Sequence, residues 1–376
     1  MVSYRYLVVG GGMTGDAVCR GIREVDEQGT IGLVGEEPHP PYKRPPLTKG
    51  LWKGGDEAKI WRGTEDHRVD LRLGRRIVSI DPGAHRAADD AGEEYEYEKL
   101  VLATGGTPRR LPGDVDAIYF RTLDDYRRVR SLSDQGSRFL VVGGGFIGSE
   151  IAAALRSQGR DVTMVFPEAG IGWRTFPPEL ARFVAGYYRE QGVDVRSETM
   201  FDSAVGYDAV VAGLGIIPRT DLAEAAGLPV DDGIEVDEYG RVPGFDDVYA
   251  AGDVARFPIP ALGRSGRVEH EDHANTHGRL VGGNAAGRDD RYEHLPFFYS
   301  DLFDLGYEAV GDLDSRQDTV QLWLEPNRKG IVAYVDGDKR PRGFLLWNVW
   351  DKLDPARELI RAAEPIGEDA LRGLAG

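Results

Sequence analysis

The chain has 376 residues, 41% hydrophobic and 29% charged, which is too long for one small core and points to two or three globular domains. A formal net charge of -17 disfavours general nucleic-acid binding, and a single cysteine excludes an internal disulfide framework, a paired-cysteine redox centre and a cysteine-rich zinc site. No apolar run approaches the ~20 residues that span a bilayer, and apolar chain begins close to the N-terminus, so the expectation is a cytoplasmic protein with no leader and no membrane span.

A strand at 6–9 runs into Gly10, Gly12 and Gly15, spaced G-x-G-x-x-G, and a helical pattern follows. The next short strand, from 30, ends near Glu36. The same order of strand, turn, helix and strand returns from 139, with Gly143, Gly145 and Gly148, and ends near Glu168. One such turn is weak evidence. Two copies in matching context predict two dinucleotide-binding units. Strands at 99–103 and 208–212 each lead into a glycine turn with proline just beyond, where the chain is expected to cross between domains. An apolar strand from 248 ends in Gly252 and Asp253. Beyond 296 the composition turns aromatic, and alternating segments at 319–325, 329–337 and 342–350 predict an antiparallel sheet, with helix from about Pro355.

In such a fingerprint the first glycine permits the sharp turn, the second lets backbone approach a pyrophosphate, and the third lets helix pack on strand. The helix N-terminus then favours the phosphates. Glu36 and Glu168 sit where a carboxylate can accept ribose hydroxyls. Glu150 falls on the first turn of the second helix, where a carboxylate suits the dipole; an ordinary helix acid is the alternative. Three prolines around Arg44 stiffen a loop that carries Arg44 and Lys49, suited to a diphosphate or a flavin ring, or else a plain surface loop. His270, His273 and His277 have helical spacing, which raises a metal site. The better reading is a helix whose N-terminus faces the Gly252–Asp253 strand end and whose dipole stabilises an anion there. Cys19 reads as a packing residue.

The segments VVGGGMTG, PPYKRPPLTK, YEKLVLATGGTPR, VVGGGFIGSE, VFPE, AAGDVARF, RVEHEDHA and FLLWNVWDK cover nearly the whole chain. Together they resemble the FAD-dependent pyridine-nucleotide oxidoreductases, most of all the apoptosis-inducing-factor-like branch beside the ferredoxin and rubredoxin reductases. The resemblance implies an α/β fold class with two Rossmann-like dinucleotide-binding domains, for FAD and NAD, plus a C-terminal α+β domain. The implied boundaries are 1–110 and 234–296 for the FAD-binding domain, 111–233 for the NAD-binding domain and 297–376 for the last. It implies FAD contacts at Gly10, Gly11, Gly12, Met13 and Thr14, with Gly15 closing the turn, and at Glu36, Glu37, Arg44 and Lys49. Further FAD contacts are implied at Val78, Thr104, Gly105 and Arg121, and at Gly252, Asp253, His270 and Glu271. For the nicotinamide nucleotide it implies Gly144, Gly145, Phe146 and Ile147, then Glu168, Arg174 and Gly215, and finally Glu269, Tyr299, Glu308 and Asn348. Lys49 and Glu150 match the family's ion pair beside the flavin's hydride-accepting nitrogen, and with His270 they form the expected catalytic set. No metal is expected.

Three departures stand out. Tyr299 replaces the usual Trp, Arg219 replaces an expected Asn, and the chain between Arg196 and Asp208 is short by about a hairpin. The implied activity is that of an FAD-dependent NAD(P)H oxidoreductase with non-covalent FAD. It takes hydride from NADH rather than NADPH and passes electrons to an acceptor: a ferredoxin- or rubredoxin-type iron–sulfur protein, a quinone or a small oxidant. The disulfide-reductase chemistry is excluded by the single cysteine. The alternative is an NADH-responsive flavoprotein module with slow turnover, whose reduced complex alters packing or dimerisation. A homodimer is compatible with either. Arg72, Arg75 and Arg76, and Arg127, Arg128 and Arg130, are candidate steering patches for an acidic partner.

Overall fold

Strand Val2–Val9 lies at the middle of a parallel sheet, between Ile31–Gly35 and Glu94–Leu102, in a computed structural model that describes residues 1–113 and 115–375. Val69–Leu73 extends the sheet beyond Ile31–Gly35. On the edge away from Val2–Val9, the long strand Glu94–Leu102 serves two partners. Its first residues pair antiparallel with Arg86–Asp89, and its last three pair in parallel with Val248–Ala250. The sequence registers that change: Tyr95 and Tyr97 alternate with exposed Glu94 and Glu98, whereas Leu100, Val101 and Leu102 are buried without a break. Alternation suits a half-covered antiparallel edge, and a continuous apolar run suits a parallel strand covered on both faces.

Helices Met13–Val25 and Glu271–Ala285 pack closely on this sheet. At Gly282 an added Cβ would stand 2.1 Å from the Val18 carbonyl oxygen, so the contact requires glycine. Val18, Cys19, Ile22, Tyr249 and Val281 share one core. Cys19 is fully buried, as a packing residue should be, and burial pushes its thiol pKa far up. These elements belong to a first compact unit made of Met1–Lys43, Glu57–Thr107 and Ile217–Pro296.

The second unit comprises Arg44–Asp56, Pro108–Ile216 and Phe297–Gly376. It holds a parallel sheet in the order Asp194–Arg196, Asp161–Val165, Arg138–Val142, Ala209–Ala212, Ala117–Tyr119. Helix Leu123–Asp134 starts at a capping box between Thr122 and Asp125, which satisfies two first-turn donors. Helices Phe146–Ser157 and Pro178–Glu190 complete the layer. The edge strand Asp194–Arg196 has only three residues, and loop leads from it straight to the strand Ala209–Ala212.

The same unit contains an antiparallel sheet in the order Phe297–Leu302, Leu305–Gly311, Pro341–Trp347, Lys329–Val335, Asp318–Glu325. The last three are the alternating segments expected from sequence. The first two escape such reading because the turn between them is Phe303-Asp304, with Phe303 at φ 62° and no glycine or asparagine to mark it. The next helix, Leu353–Ala362, begins slightly before Pro355, which sits in its first turn where a missing N–H costs nothing. Two of the five crossings between units fall within the short strands Gly106–Pro108 and Ile216–Pro218.

Candidate cofactor sites

In the first unit Gly10 has φ 128°, and an added Cβ would lie 2.1 Å from the Ala103 carbonyl oxygen. Gly12 differs. It is the N-cap of helix Met13–Val25 at an ordinary φ of -91°, and a Cβ there would meet nothing within 4 Å. The strand end and the helix N-terminus therefore frame an open cradle whose surface is backbone. The second unit repeats it: Gly143 has φ 114°, and Gly145 is the N-cap of helix Phe146–Ser157 with nothing within 4 Å of its would-be Cβ. A cradle without side chains, facing a helix dipole, fits a pyrophosphate in both units. Gly11 packs against Gly35, Met13 and Thr14 are buried, and Gly252 leaves room for the Thr14 side chain.

Glu36 follows strand Ile31–Gly35 and forms an ion pair with Arg219, whose own backbone is fixed by two bonds. Arg219 N–H donates to the Gly105 carbonyl, and the Thr104 hydroxyl donates to the Arg219 carbonyl, both at 2.9 Å. Glu37 accepts from the Tyr42 hydroxyl at 2.5 Å. Val78 is an exposed residue of strand Ile77–Asp81. Asp253 lies in the turn Gly252–Val254, and Arg267 clamps this turn: it donates to the Asp253 carbonyl at 2.7 Å and pairs with Glu269 at 2.9 Å.

His270 is the N-cap of helix Glu271–Ala285, and Glu271 opens its first turn. His273 and His277 are fully buried and stacked, ring centroids 4.7 Å apart, with Phe257 against both. His277 Nδ1 accepts from the Gly252 N–H at 3.3 Å, and His273 Nδ1 meets the Tyr292 hydroxyl at 3.0 Å. Among the described residues no group of three or more His, Cys, Asp or Glu is arranged to hold a metal ion. Histidines 273 and 277 are thus core residues that support the Gly252 turn. Desolvation pushes His277 down to about 3 and His270 to about 4, and His273 is lowered as well. An unfolded histidine titrates near ~6.5, so as pH falls below that value the unfolded state gains protons first. The folded state should therefore be most stable above that pH, losing up to ~1.4 kcal/mol per pH unit per histidine below it. We expect the thermal midpoint to drop steadily from pH 7 to pH 4, and less so in His277→Asn; a flat profile in the parent protein would refute this assignment.

In the second unit Glu150 sits in the second turn of helix Phe146–Ser157, past the first turn expected from sequence, with 6% of its side chain exposed. It is not a solvated helix acid. It accepts from Lys49 Nζ, from Thr48 Oγ1 at 2.6 Å and from Ser300 Oγ at 2.6 Å. Lys49 Nζ also lies 5.2 Å from the centroid of the Tyr299 ring, a cation–π distance. The proline loop explains the delivery: Pro45–Leu47 forms a 3-10 turn, Trp52 Nε1 donates to the Leu47 carbonyl at 2.7 Å, and Gln158 donates to the Trp52 carbonyl at 2.9 Å. Arg44 donates to the Arg121 carbonyl at 2.6 Å. Thr48 and Ser300 were not anticipated. The strand period could have suggested Ser300, since in Phe297–Leu302 it faces inward while Tyr299 faces outward.

Arg174 approaches Glu168 at 3.5 Å while 89% exposed, and the Gly144 carbonyl accepts from Gly172 N–H, tying the fingerprint to that loop. Phe146 packs edge-on to Phe298, Ile147 is partly exposed beside it in sequence, and Gly215 has φ 82°. Glu308 pairs with Tyr299 across the sheet, and burial raises its pKa. The Asn348 side chain is engaged at both ends, accepting from Gly306 N–H and donating to the Arg328 carbonyl, each at 2.8 Å. Of the six candidate steering arginines, Arg72 pairs with Asp70, Arg127 with Asp124, Arg128 with Asp116 and Arg130 with Asp134, all within 3.4 Å.

Two open pyrophosphate cradles, each with a carboxylate at the next strand end, and a buried lysine–glutamate pair define a two-dinucleotide oxidoreductase. The family model for pyridine nucleotide-disulphide oxidoreductases matches residues 4–278, and the chain belongs to that family. It is 33% identical over 383 residues to the ferredoxin–NAD(+) reductase component of the anthranilate 1,2-dioxygenase system of Burkholderia cepacia, covering 95% of this chain and 94% of the relative. It is 30% identical to mitochondrial apoptosis-inducing factor 1 of Dictyostelium discoideum, covering 95% and 78%. The crystal structure of a covalent putidaredoxin reductase–putidaredoxin complex matches with TM-score 0.90 and 28% identity, covering 100% of this chain and 96% of that one. The protein is an FAD-dependent NAD(P)H oxidoreductase with Rossmann-like parallel sheets. No helix among the described residues is long and apolar enough to cross a membrane.

Proposed function

We propose that the protein oxidises NADH and delivers electrons one at a time to a small iron–sulfur protein of the ferredoxin type, in the cytoplasm and without a redox disulfide. The observation that carries this reading is the end-to-end similarity to a ferredoxin–NAD(+) reductase component, in a chain with a single cysteine. When bound, FAD supplies two-electron acceptance from the nicotinamide and stepwise release to the acceptor. The chain's own residues bind and orient. Residues 1–110 and 234–296 form the FAD-binding domain, with Gly12 at the pyrophosphate and Glu36 at the ribose. The nicotinamide domain, expected over 111–233, holds its nucleotide over Gly145 and gives up 217–233, which cluster with the first unit, and 297–376 form the third domain. Lys49, held by Glu150, Thr48 and Ser300, supplies a fixed positive charge in the second unit, and in the first unit the helix that begins at His270 presents the positive end of its dipole.

Glu168 supports NADH over NADPH. Its carboxylate can accept ribose hydroxyls, and it repels a 2′-phosphate by roughly 2–4 kcal/mol at contact distance and an effective dielectric of about 20. Arg174 already leans on Glu168, so it would have to leave one anion for another. The test is anaerobic stopped-flow mixing of yellow protein, with about one FAD per chain, against NADH and NADPH, then reoxidation by a ferredoxin, a rubredoxin, a quinone and oxygen. We expect fast bleaching by NADH, slower bleaching by NADPH and fastest reoxidation by the ferredoxin. Equal bleaching, or an NADPH preference that vanishes in Arg174→Ala, would overturn the coenzyme assignment. The likeness to apoptosis-inducing factor supports the second reading, an NADH-responsive module. Slow reoxidation by every acceptor, with an NADH-dependent change in size, would select it.

A further inference from the structure

We infer that Arg219 is a positioning residue for the adenosine end of FAD, acting through Glu36. The inference deepens the reading above, since it rests on Glu36 as the ribose acid. Three observations within the first unit converge on this arginine. Its guanidinium pairs with Glu36 through one carboxylate oxygen, Oε2. Its N–H is bonded to the Gly105 carbonyl and its carbonyl to the Thr104 hydroxyl, so the backbone cannot drift from the end of strand Glu94–Leu102. Glu36 itself leaves strand Ile31–Gly35 beside Gly11, at the mouth of the open cradle. One arginine therefore links three short segments that the sequence places at the same cofactor.

The chemistry follows from the carboxylate's geometry. A glutamate in an exposed position samples several rotamers, and a ribose must select one of them, losing side-chain entropy on binding. Glu36 is about half exposed, with 49% of its side chain accessible, so no packing fixes it. The guanidinium does that in advance. It engages Oε2 and leaves Oε1 to accept a ribose hydroxyl. Neither side chain is buried, so the arginine's contribution is that of an exposed ion pair and not of a core contact. An asparagine, which the family resemblance leads one to expect at 219, carries no charge and cannot form this ion pair.

The experiment is a double-mutant cycle read by flavin binding. Apoprotein prepared from the parent chain, Arg219→Gln, Glu36→Gln and the double variant is titrated with FAD, following quenching of flavin fluorescence, with no turnover involved. Arg219→Gln should weaken FAD about twofold to fivefold, the size of an exposed ion pair. Glu36→Gln should weaken it about tenfold or more, the size of a charge-assisted hydrogen bond. In the Glu36→Gln background the arginine substitution should have no further effect, and Arg219→Lys should restore part of the loss. Thermal midpoints of the four apoproteins should agree, because the pair is exposed. An unchanged FAD affinity in Arg219→Gln, or an equal loss in both backgrounds, overturns the inference while leaving Glu36 in place. If Glu36→Gln itself binds FAD normally, the assignment of the ribose acid falls, and the arginine's role falls with it.

Discussion

Glu150→Ala is expected to be among the most damaging single substitutions in the chain. The carboxylate is 6% exposed and accepts from three donors, so its loss strands the Lys49 ammonium, which is only 12% exposed, and two hydroxyls. Breaking a buried pair from one side costs about 3–5 kcal/mol, because the remaining charge is left without a counter-ion. The thermal midpoint should fall markedly, and NADH should bleach the remaining flavin more slowly. Glu150→Gln separates the two effects. It preserves the shape and most of the hydrogen bonds, so it should recover much of the stability while flavin reduction stays slow. Lys49→Ala should mirror the loss of flavin reduction. If Glu150→Ala melts like the parent protein, the cluster is not buried as described. If it reduces flavin like the parent protein, the cluster has no part in catalysis.

The second large effect is a selective one. Gly12→Ala and Gly145→Ala place a methyl in open space at ordinary backbone angles, so both proteins should fold normally. Each methyl then stands where a pyrophosphate would approach, a crowding cost of about 1–3 kcal/mol, or roughly fivefold to 150-fold in affinity. Gly12→Ala should yield folded protein that loses FAD on dilution. Gly145→Ala should stay yellow and show a raised KM for NADH. Gly10→Ala is the contrast: its φ of 128° and a 2.1 Å approach to a carbonyl oxygen predict failure to fold instead of a binding defect. Flavin content, NADH titration and circular dichroism on the three proteins together decide it, and identical behaviour of Gly12→Ala and Gly145→Ala would mean the two cradles do not serve different dinucleotides.

What the sequence made legible was local. The two fingerprints are turn chemistry, written in consecutive residues, and the switch from alternating to continuous apolar character in Glu94–Leu102 is visible before any fold is known. What stayed hidden was convergence. Thr48 and Ser300 meet Glu150 across 102 and 150 residues, and Arg219 meets Glu36 across 183. No periodicity reports contacts at that range. The hairpin at 297–311 is hidden for a different reason, since its turn uses phenylalanine at a positive φ where turn rules look for glycine. The arginines of helix Leu123–Asp134 are the opposite case. Asp124 and Asp134 lie three and four residues from Arg127 and Arg130, so these ion pairs are readable from helical spacing alone.

Each compact unit is assembled from three separate stretches of chain, and neither owns a continuous half of the sequence. This imposes an order on birth. As the chain leaves the ribosome, the first sheet must wait for Val248–Ala250 before its last parallel strand arrives, although its central strand emerged with the first ten residues. Glu150 waits longer still, for Ser300, and until then it lacks one of its donors. Neither unit can close early, so nascent protein carries open apolar edges for most of its synthesis. Dividing the gene into two polypeptides at any single point would leave at least one unit without a stretch it needs.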